Sequence, residues 1–246
     1  MFKEERYEKI LEILNEENYI SALELSKRLF VSLPTIRRDL AELSTRNQIK
    51  RNHGGARKIS PEHISPPFDF RKTVNYNIKR KLCEKAAELI TDNDMIFADG
   101  SSTVLQLAEF ISPKKSITVV TNGMPLAMSL RKKGVKVYCT GGEICEESFA
   151  AAGFFSEELI KSFNFDIMFF SCSCVTENGT IADTSLLENT LRKAAVNNSK
   201  STVFMCDSSK FNKSAPHNLM ALCDTDFVIT DFCENCNFDT KNFIII

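Results

Sequence analysis

Three polar side chains near the start of one predicted helix have the types and spacing to contact DNA: Thr35, Arg37 and Arg38. The apolar residues of that helix recur at i, i+4 and i+7 and give it one face to bury: Ile36, Leu40 and Leu43. The threonine and the two arginines project from the other faces. Side chains in the first turns of a recognition helix contact base edges, and arginines bind phosphate. Because any amphipathic surface helix can carry arginine, the neighbouring sequence has to decide whether this helix binds DNA.

Two further helices and a hairpin are predicted around this helix. Residues 7–14 form an amphipathic first helix, and residues 21–24, Ser-Ala-Leu-Glu, have the pattern of a capping box that starts a second. Ser32 and Pro34 suit the N-cap and the first turn of the third helix. Short extended pieces with basic residues on both arms flank residues 54–55, Gly-Gly, and predict a β-hairpin. This order predicts a helix-turn-helix followed by a wing that lies on the flanking DNA backbone.

The charge distribution supports a nucleic-acid partner. The whole chain has a net charge of −1, yet residues 26–58 contain nine basic and two acidic residues, so this segment carries +7 and the remainder −8. A basic block in an otherwise acidic chain is the expected footprint of a surface that binds nucleic acid. An ordinary solvated face would mix both signs.

Composition limits the class of protein. With 246 residues the chain is long enough for two domains, and 43% hydrophobic and 26% charged residues are typical of globular proteins. No apolar run approaches the length of a membrane helix and the charged N-terminus is not a signal peptide, so we expect a cytoplasmic protein. The nine cysteines are scattered, which favours reduced thiols over a disulfide framework.

Six short apolar runs after residue 94 predict parallel strands, since helix-length segments separate most of them. They are Met95–Ala98, Ile117–Val120, Val135–Cys139, Ile167–Phe170, Thr202–Cys206 and Phe227–Ile229. Polar or flexible residues follow each run. Because ligands bind at the carboxyl ends of parallel strands, the sequence predicts an α/β sheet with a binding crevice along that edge.

The leading anion site in this crevice is the segment Asp99-Gly100-Ser101-Ser102-Thr103. The glycine lets the backbone approach a ligand closely, the hydroxyls can donate, and the start of the next helix favours a phosphate. Lys210, after another strand, could supply a point charge to the same phosphate. The alternative is an ordinary capped turn and an ordinary surface lysine.

Three segments of the first half, residues 25–32, 35–40 and 51–56, resemble in order and spacing the winged helix-turn-helix of the DeoR family of bacterial transcriptional regulators. The resemblance, with the basic hairpin, gives a set of expected DNA contacts: Ser32, Leu33, Pro34, Thr35, Arg37, Arg38, Arg51, His53, Gly54 and Arg57. Leu33 and Pro34 lie at a variable position of the family pattern and are expected to help set the preference for an operator. His53 is interpreted as a phosphate or turn hydrogen-bonding residue, because no partner ligand for a metal lies nearby.

The second half resembles the DeoR-family sensor domain, whose fold is similar to ribose-5-phosphate isomerase. The matching residues are Lys79, Asp99–Thr103, Thr121-Asn122, Gly141-Gly142, Gly153, Gly179, Glu188, Lys193 and Asp207–Phe211. The resemblance implies a phosphorylated sugar or related metabolite as effector. Its expected contacts are Asp99, Gly100, Ser101, Ser102, Thr103, Thr121, Asn122, Gly142, Glu143 and Lys210. Asp99 would be repelled by phosphate, so it is expected to face the sugar hydroxyls together with Asn122, Gly142 and Glu143.

An isomerase with an accessory DNA-binding arm is the alternative function. Such an enzyme needs a carboxylate base, but the place where the isomerases carry acidic residues reads Ser-Cys-Ser-Cys at 171–174. Asp183 and Glu188 are nearby and are interpreted as helix-end or surface charges. The sequence therefore favours a regulator that lacks a catalytic set.

The cysteine pairs suggest neither a cofactor nor a metal. Cys233 and Cys236 form a single CxxC without the second pair or histidines of a structural zinc site. Cys172 and Cys174 lie two residues apart at a strand end, as a redox pair would, although two small buried residues are the favoured interpretation.

We therefore expect a winged helix-turn-helix over residues 1–58, a proline-rich linker over 59–74 and an effector-sensing α/β domain over 75–246. The expected function is a repressor of sugar or related metabolic genes whose binding to double-stranded operator DNA responds to the effector. One small recognition unit has limited affinity, so a homo-oligomer on repeated half-sites is expected. Neither a cofactor nor a membrane partner is expected.

Overall fold

The computed structural model describes residues 3–17, 19–45, 48–52, 54–58, 66–145, 148–231 and 240–246. The chain divides into two compact units, Met1–Ile64 and Ser65–Ile246. The division falls inside the segment expected as linker. Part of that segment, Phe68–Arg71, is a helix of the larger unit. The linker expected over 59–74 is therefore too long at its C-terminal end.

The smaller unit contains three helices and a three-stranded antiparallel sheet. Its elements are α1 (Lys3–Glu17), β1 (Tyr19–Ser21), α2 (Ala22–Leu29), α3 (Leu33–Thr45), β2 (Ile49–Asn52) and β3 (Gly55–Lys58). The strands have the order β1-β3-β2. Buried residues from all three helices form one core, among them Ile10, Leu25 and Leu40. The predicted helix-turn-helix with a wing is confirmed as the fold of this unit.

Local sequence explains how the second and third helices begin. The Ser21 hydroxyl accepts a hydrogen bond from the Glu24 amide at 3.0 Å, so the predicted capping box forms the start of α2. The helix ends at Phe30, whose φ of +52° reverses the chain before α3. Ser32 directly precedes α3, and its carbonyl accepts a hydrogen bond from the Ile36 amide at 3.1 Å. These contacts fix the turn that presents α3.

The hairpin between β2 and β3 needs both of its glycines. Gly54 has a φ of +93°, a backbone conformation that L side chains rarely adopt. A Cβ on Gly55 would lie 2.4 Å from the Ile20 carbonyl oxygen of β1. The Gly54 carbonyl also accepts a hydrogen bond from the Ala22 amide at 2.8 Å, which ties the turn to the start of α2.

The larger unit is built on a seven-stranded parallel sheet. In chain order its strands are β4 (Met95–Ala98), β5 (Thr118–Thr121), β6 (Lys136–Cys139), β9 (Ile167–Phe170), β12 (Thr202–Met205), β14 (Phe227–Thr230) and β15 (Phe243–Ile245). Across the sheet they have the order β15-β14-β12-β9-β4-β5-β6. The first six in chain order correspond to the six apolar runs, which confirms the predicted sheet. Smaller antiparallel pairings involve β7 (Glu143–Cys145) with β8 (Ala150–Ala152), and β11 (Thr180–Asp183) with β10 (Cys174–Val175) and β13 (His217–Ala221).

Helices cover both faces of the parallel sheet. They are α5 (Tyr76–Ala87), α6 (Met124–Lys132), α7 (Phe154–Lys161) and α8 (Leu186–Asn197), and a short helix, α4 (Phe68–Arg71), precedes them in the chain. Strand β4 shows the division: Ile96 packs with Leu82 of α5, whereas the adjacent Phe97 packs with Leu191 of α8. Alternate side chains of a strand point to opposite faces, so two buried cores are formed.

Two details differ from the sequence prediction. The helix-length segment that follows β4 in the sequence is a 3-10 helix over Val104–Glu109 and not an α-helix. The strand predicted at Ile117–Val120 lies one residue further along, at Thr118–Thr121. Within the described ranges, every helix is too short or too polar to cross a membrane.

Candidate functional site

Helix α3 presents its arginines to solvent and buries its apolar stripe. Arg37 and Arg38 are exposed, while Ile36 and Leu40 are 0% and 2% exposed. Thr35 is half-buried, and its hydroxyl lies 2.8 Å from that of Ser32. Of the other residues at this end of the helix, Ser32 and Pro34 are exposed and Leu33 is half-buried. The side chains predicted to contact DNA at the start of α3 therefore share one accessible end of the helix.

A buried ion pair that sequence analysis missed removes the one acidic residue beside these arginines. Asp39 is 2% exposed, and its Oδ1 accepts a hydrogen bond from Arg6 Nη2 of α1 at 3.0 Å. The bond to Asp39 raises the pKa of Arg6. Because Asp39 points inward and is neutralised there, the exposed start of α3 is more basic than the sequence count suggests.

The wing is only partly described. Arg51 and Arg57 lie in β2 and β3, in a register that pairs Arg51 with Ala56 and Lys50 with Arg57. Their side chains and His53 lie outside the described residues. Gly54 is exposed at the turn. The DNA contacts expected of these residues stay predictions.

The predicted anion-binding turn follows β4 and is more enclosed than an open crevice. Ser101, Ser102 and Thr103 are 8%, 5% and 3% exposed. The Ser101 hydroxyl accepts a hydrogen bond from the Val104 amide at 3.2 Å and so caps the 3-10 helix. The Ser102 hydroxyl accepts one from Lys79 Nζ, also at 3.2 Å.

Asn122 and Gly100 hold the ends of two neighbouring strands together. Asn122 Oδ1 accepts a hydrogen bond from the Gly100 amide at 2.8 Å, and its Nδ2 donates to the Ala151 carbonyl at 3.1 Å. A Cβ on Gly100 would lie 2.6 Å from that of Ala150. Thr121, before Asn122, accepts a hydrogen bond from the Gly123 amide at 3.0 Å. The side chains of Thr121 and Asn122, which the sequence predicted to contact the effector, thus form hydrogen bonds with the backbone at the ends of β4 and β5.

Two lysines meet beside the turn. Lys79 of α5 is 4% exposed, and Lys210 is half-buried in the short turn after β12. Burial and the neighbouring Lys210 together lower the pKa of Lys79 to about 8, against an opposing effect of Asp207. Within the described residues, the Lys210 ammonium group has no hydrogen-bond or ion-pair partner. Two cations that repel each other favour an anion between them.

Helix α4 and the residues after it contact Lys79 and Asp207. Lys79 Nζ donates to the Arg71 carbonyl as well as to Ser102. Asn75 Nδ2 donates to Asp207 Oδ1 at 2.9 Å, and the ring of Phe68 packs edge-on against Phe149 at 5.9 Å. The described end of the segment predicted as linker, at Arg71, therefore lies against the candidate phosphate site.

A buried arginine, Arg192 of α8, is the principal residue that sequence analysis missed. Its side chain is 4% exposed and donates to Asp99 Oδ2 at 2.8 Å, to Asp183 Oδ2 at 2.9 Å and to Glu188 Oε2 at 3.0 Å. Asp99 also accepts hydrogen bonds from the Ser101 amide at 3.0 Å and the Ser171 amide at 3.3 Å. Asp99 thus holds the turn in place and is engaged within the protein, although the sequence assigned it to the sugar.

Of the interpretation of Asp183 and Glu188 as helix-end or surface charges, the helix end holds for Glu188, which lies in the first turn of α8, but both carboxylates are buried and not at the surface. Burial by itself would raise the pKa of Asp183, but Arg192 and hydrogen bonds from Ser173, Thr184 and Ser185 outweigh it and lower that pKa. For Glu188, burial outweighs Arg192 and raises the pKa. Both carboxylates lie at the carboxyl edge of the sheet because α8 begins there. The i, i+4 spacing of Glu188 and Arg192 was the one feature of the sequence that could have indicated this ion pair.

Other predicted residues lie further out. Gly142 and Glu143 are exposed at the start of β7, and no hydrogen bond among the described residues joins Glu143 to the turn after β4. Cys172 and Cys174 are buried, and burial raises the pKa of both thiols, as suits small core residues. Cys233 and Cys236 lie outside the described residues. No group of three or more potential metal ligands occurs in the described part of the chain.

Both units match known protein families. Residues 6–62 match the DeoR-like helix-turn-helix domain, and residues 74–232 match the DeoR C-terminal sensor domain. The chain is 33% identical over 230 residues to the L-fucose operon activator of Haemophilus influenzae, covering 93% of this chain and 91% of that protein. It is 28% identical over 232 residues to the glycerol-3-phosphate regulon repressor of Escherichia coli, covering 94% and 92%. Among solved structures, ribose 5-phosphate isomerase A from Methanocaldococcus jannaschii matches with a TM-score of 0.42 and 16% identity, over 56% of this chain and 55% of that one.

Proposed function

Because this chain belongs to the DeoR family of transcriptional regulators, we propose that it binds operator DNA through α3 and the wing and that a phosphorylated sugar in the larger unit controls this binding. DNA binding rests on the exposed start of α3, where Arg37 and Arg38 face solvent, Asp39 is buried and Glu42 is paired with Lys3 of α1. The chain is a regulator and not an enzyme: the matched families are regulatory, and the three buried carboxylates beside the turn are bound to Arg192.

The observation that carries the effector site is the pair Lys79 and Lys210. Lys79 is buried, repelled by a second ammonium group and bound to Ser102 of the turn, an arrangement that costs free energy while no anion is present. A phosphate between the two lysines and Ser102 would offset both the repulsion and the desolvation. We place the phosphate of the effector between Lys79, Lys210 and Ser102, and away from the Asp99 carboxylate.

The same contacts supply a route from effector to DNA. The Arg71 carbonyl of α4 accepts from Lys79, and α4 is the first described element after the segment that joins the two units. A phosphate that draws Lys79 toward Ser102 weakens its bond to Arg71 and changes how α4 is held. Effector and DNA then favour different arrangements of this segment, which is what control of DNA binding requires.

The direction of control and the assembly are further parts of the proposal. One relative is named for repression and another for activation of a metabolic operon. We propose repression of sugar or related metabolic genes in the cytoplasm, with release of DNA on effector binding. We also propose a homo-oligomer, because a single recognition helix contacts too few base pairs for tight specific binding and paired half-sites multiply the affinity.

The affinity for inorganic phosphate is expected to fall as the pH rises from 8 to 9.5. The pKa of Lys79 is about 8 without ligand, so above this pH binding must first protonate the lysine. Isothermal titration calorimetry should show up to a tenfold loss per pH unit in this range. Lys79→Arg keeps its charge and should give a flat profile.

The control for this experiment is Lys210→Met, which should weaken phosphate binding at every pH. Lys81→Met, an exposed change on the same helix as Lys79, should have no effect. Identical pH profiles for the wild type and Lys79→Arg would show that phosphate binds elsewhere.

A further inference from the structure

Strand β6 forms one edge of the seven-stranded sheet, and one of its sides is open. It is the last strand in the order, and among the described residues it pairs only with β5. The chain that follows turns away from it, because β7 pairs with β8 instead. An unpaired strand edge is a template for a further strand, and folded proteins usually cover such an edge. The open side of β6 is therefore available to an extended strand of another chain.

Exposed apolar side chains lie on both faces of this edge. A groove between α6 and β6 is lined by Met128, Val137 and Cys139, among other residues, and Met128 is 62% exposed. Tyr138 points to the opposite face, where its ring contacts that of Phe163 at 5.4 Å and is still 41% exposed. Single exposed apolar residues are ordinary, but a contiguous set is typical of a protein interface.

The start of α7 extends this apolar surface beyond the end of β6. Ser156 Oγ donates to the Gly141 carbonyl and lies 3.4 Å from the Thr140 hydroxyl, so α7 begins beside the end of the strand. Phe154 and Phe155, immediately before Ser156, are 70% and 74% exposed. We call the whole the β6 surface, and its apolar residues are Met128, Val137, Tyr138, Cys139, Phe154 and Phe155.

The β6 surface has opposite charges at its two ends. Arg131 and Lys136 lie where β6 begins, on either side of the short turn that joins α6 to the strand. Glu143 comes after the end of β6, and Glu157 follows Ser156 in the first turn of α7. All four side chains are at least partly exposed, and within the described residues their charged groups form no hydrogen bond or ion pair. One end is therefore basic, the other is acidic, and the middle is apolar.

We propose that two copies of this chain associate through the β6 surface, with the open edges of their β6 strands paired antiparallel about a two-fold axis. This arrangement brings the basic end of each copy to the acidic end of the other. A different protein with one predominant charge would match only one end, whereas a second copy matches both. The inference rests on the homo-oligomer of the proposed function and names its interface.

The faces of the strand agree with this pairing. A two-fold axis perpendicular to the sheet keeps corresponding faces of the two sheets on the same side. Lys136 and Tyr138 share one face, with the Lys136 Nζ atom 5.5 Å from the tyrosine ring, and Phe163 places that face on the side of α7. Lys136 of one copy then lies on the same side as Glu157 of the other, which gives each copy a cation opposite a carboxylate.

Charge reversal tests the interface. A variant with Arg131→Glu and Lys136→Glu is acidic at both ends, and a variant with Glu143→Lys and Glu157→Lys is basic at both ends. Each variant alone should self-associate at least about tenfold more weakly than the wild type in sedimentation velocity at low salt, because like charges then face each other. An equimolar mixture of the two should associate again, since their surfaces are complementary. Recovery in the mixture also shows that both variants are folded.

The matched control is Lys81→Glu combined with Lys193→Glu, which makes the same change in net charge at exposed positions elsewhere in the larger unit. It should self-associate as the wild type does. Reversed variants that associate like this control, or a mixture that stays monomeric, would overturn the interface and leave the homo-oligomer standing. A wild type that is a monomer with and without DNA would contradict the homo-oligomer of the proposed function as well.

Cys139 provides a second measurement that changes no charge. Its thiol is exposed on β6, so a short bismaleimide should join two wild-type chains through this residue. Cys139→Ser should remove that product and leave self-association unchanged. A yield of cross-linked dimer that is the same in Cys139→Ser as in the wild type would show that the two copies do not meet at β6.

Discussion

Arg192→Met is expected to destabilise the larger unit by about 3–5 kcal/mol, the cost of removing one partner from a buried ion pair. Arg192 is 4% exposed and is shared by three buried carboxylates, those of Asp99, Asp183 and Glu188. Methionine fills much of the volume but leaves these charges without a cation. Because Asp99 also orients the turn after β4, phosphate binding should be lost with stability. Chemical denaturation followed by circular dichroism measures the first effect.

The pH dependence of this variant identifies the cause. In the wild type, Asp183 has a lowered pKa, so its contribution is present at neutral pH and is lost as the pH falls through that pKa. Without Arg192, burial raises the pKa values of Asp183 and Glu188 with no cation to oppose it, and stability falls as the pH rises from about 4 to 7. The difference in the free energy of unfolding between Arg192→Met and the wild type should therefore be smaller at pH 5 than at pH 7. Lys193→Met, the exposed neighbour, should cost less than 0.5 kcal/mol, as is typical of surface changes. A variant as stable as Lys193→Met at pH 7 would contradict the role given to Arg192.

Arg37→Ala combined with Arg38→Ala is expected to abolish specific DNA binding without changing stability. Both side chains are exposed and have no partner in the described part of the smaller unit, so their loss removes no internal contact. An arginine that reads a base contributes about 1–3 kcal/mol, and one that binds phosphate contributes to affinity in a salt-dependent manner. Together the changes should weaken binding by about 100-fold or more at moderate salt.

The single variants separate the two roles. Replacing the arginine that reads a base should reduce the discrimination between related DNA sequences. Replacing the arginine that binds phosphate should weaken binding to all sequences and lower the slope of log K against log salt by about 1. Lys132→Ala, an exposed cation of the larger unit, is the control. Unchanged gel shifts for the double variant would exclude α3 from the DNA interface.

Local patterns were sufficient to predict the elements. Strand β4 coincides with its apolar run, and the start of α2 coincides with its capping box, because both depend on residues adjacent in the chain. The alternation of short apolar runs with helix-length segments also predicted the parallel sheet. The predictions for the smaller unit were equally local. The apolar stripe of α3 faces the core, and this alone predicts that Arg37 and Arg38, on the other faces of the helix, are exposed.

The roles of charged residues could not be read in this way. Asp99 and Arg192 are 93 positions apart, and Arg6 and Asp39 are 33 apart, so no periodicity relates either pair. Asp99 and Asn122 follow strands and are polar, which made them candidates for the effector, but the structure uses them to position the turn.

The most direct test of the account is a DNA-binding titration of the full chain by fluorescence anisotropy, on a duplex selected from a randomised library. We expect at least one sugar phosphate of the pentose and hexose panel to raise the Kd of the wild type by about 10-fold or more, within the usual range of allosteric coupling. Lys210→Met should bind the same duplex with an unchanged Kd and should not respond to that sugar phosphate. A wild type whose Kd no sugar phosphate alters, or a Lys210→Met variant that responds as the wild type does, would contradict the proposed switch.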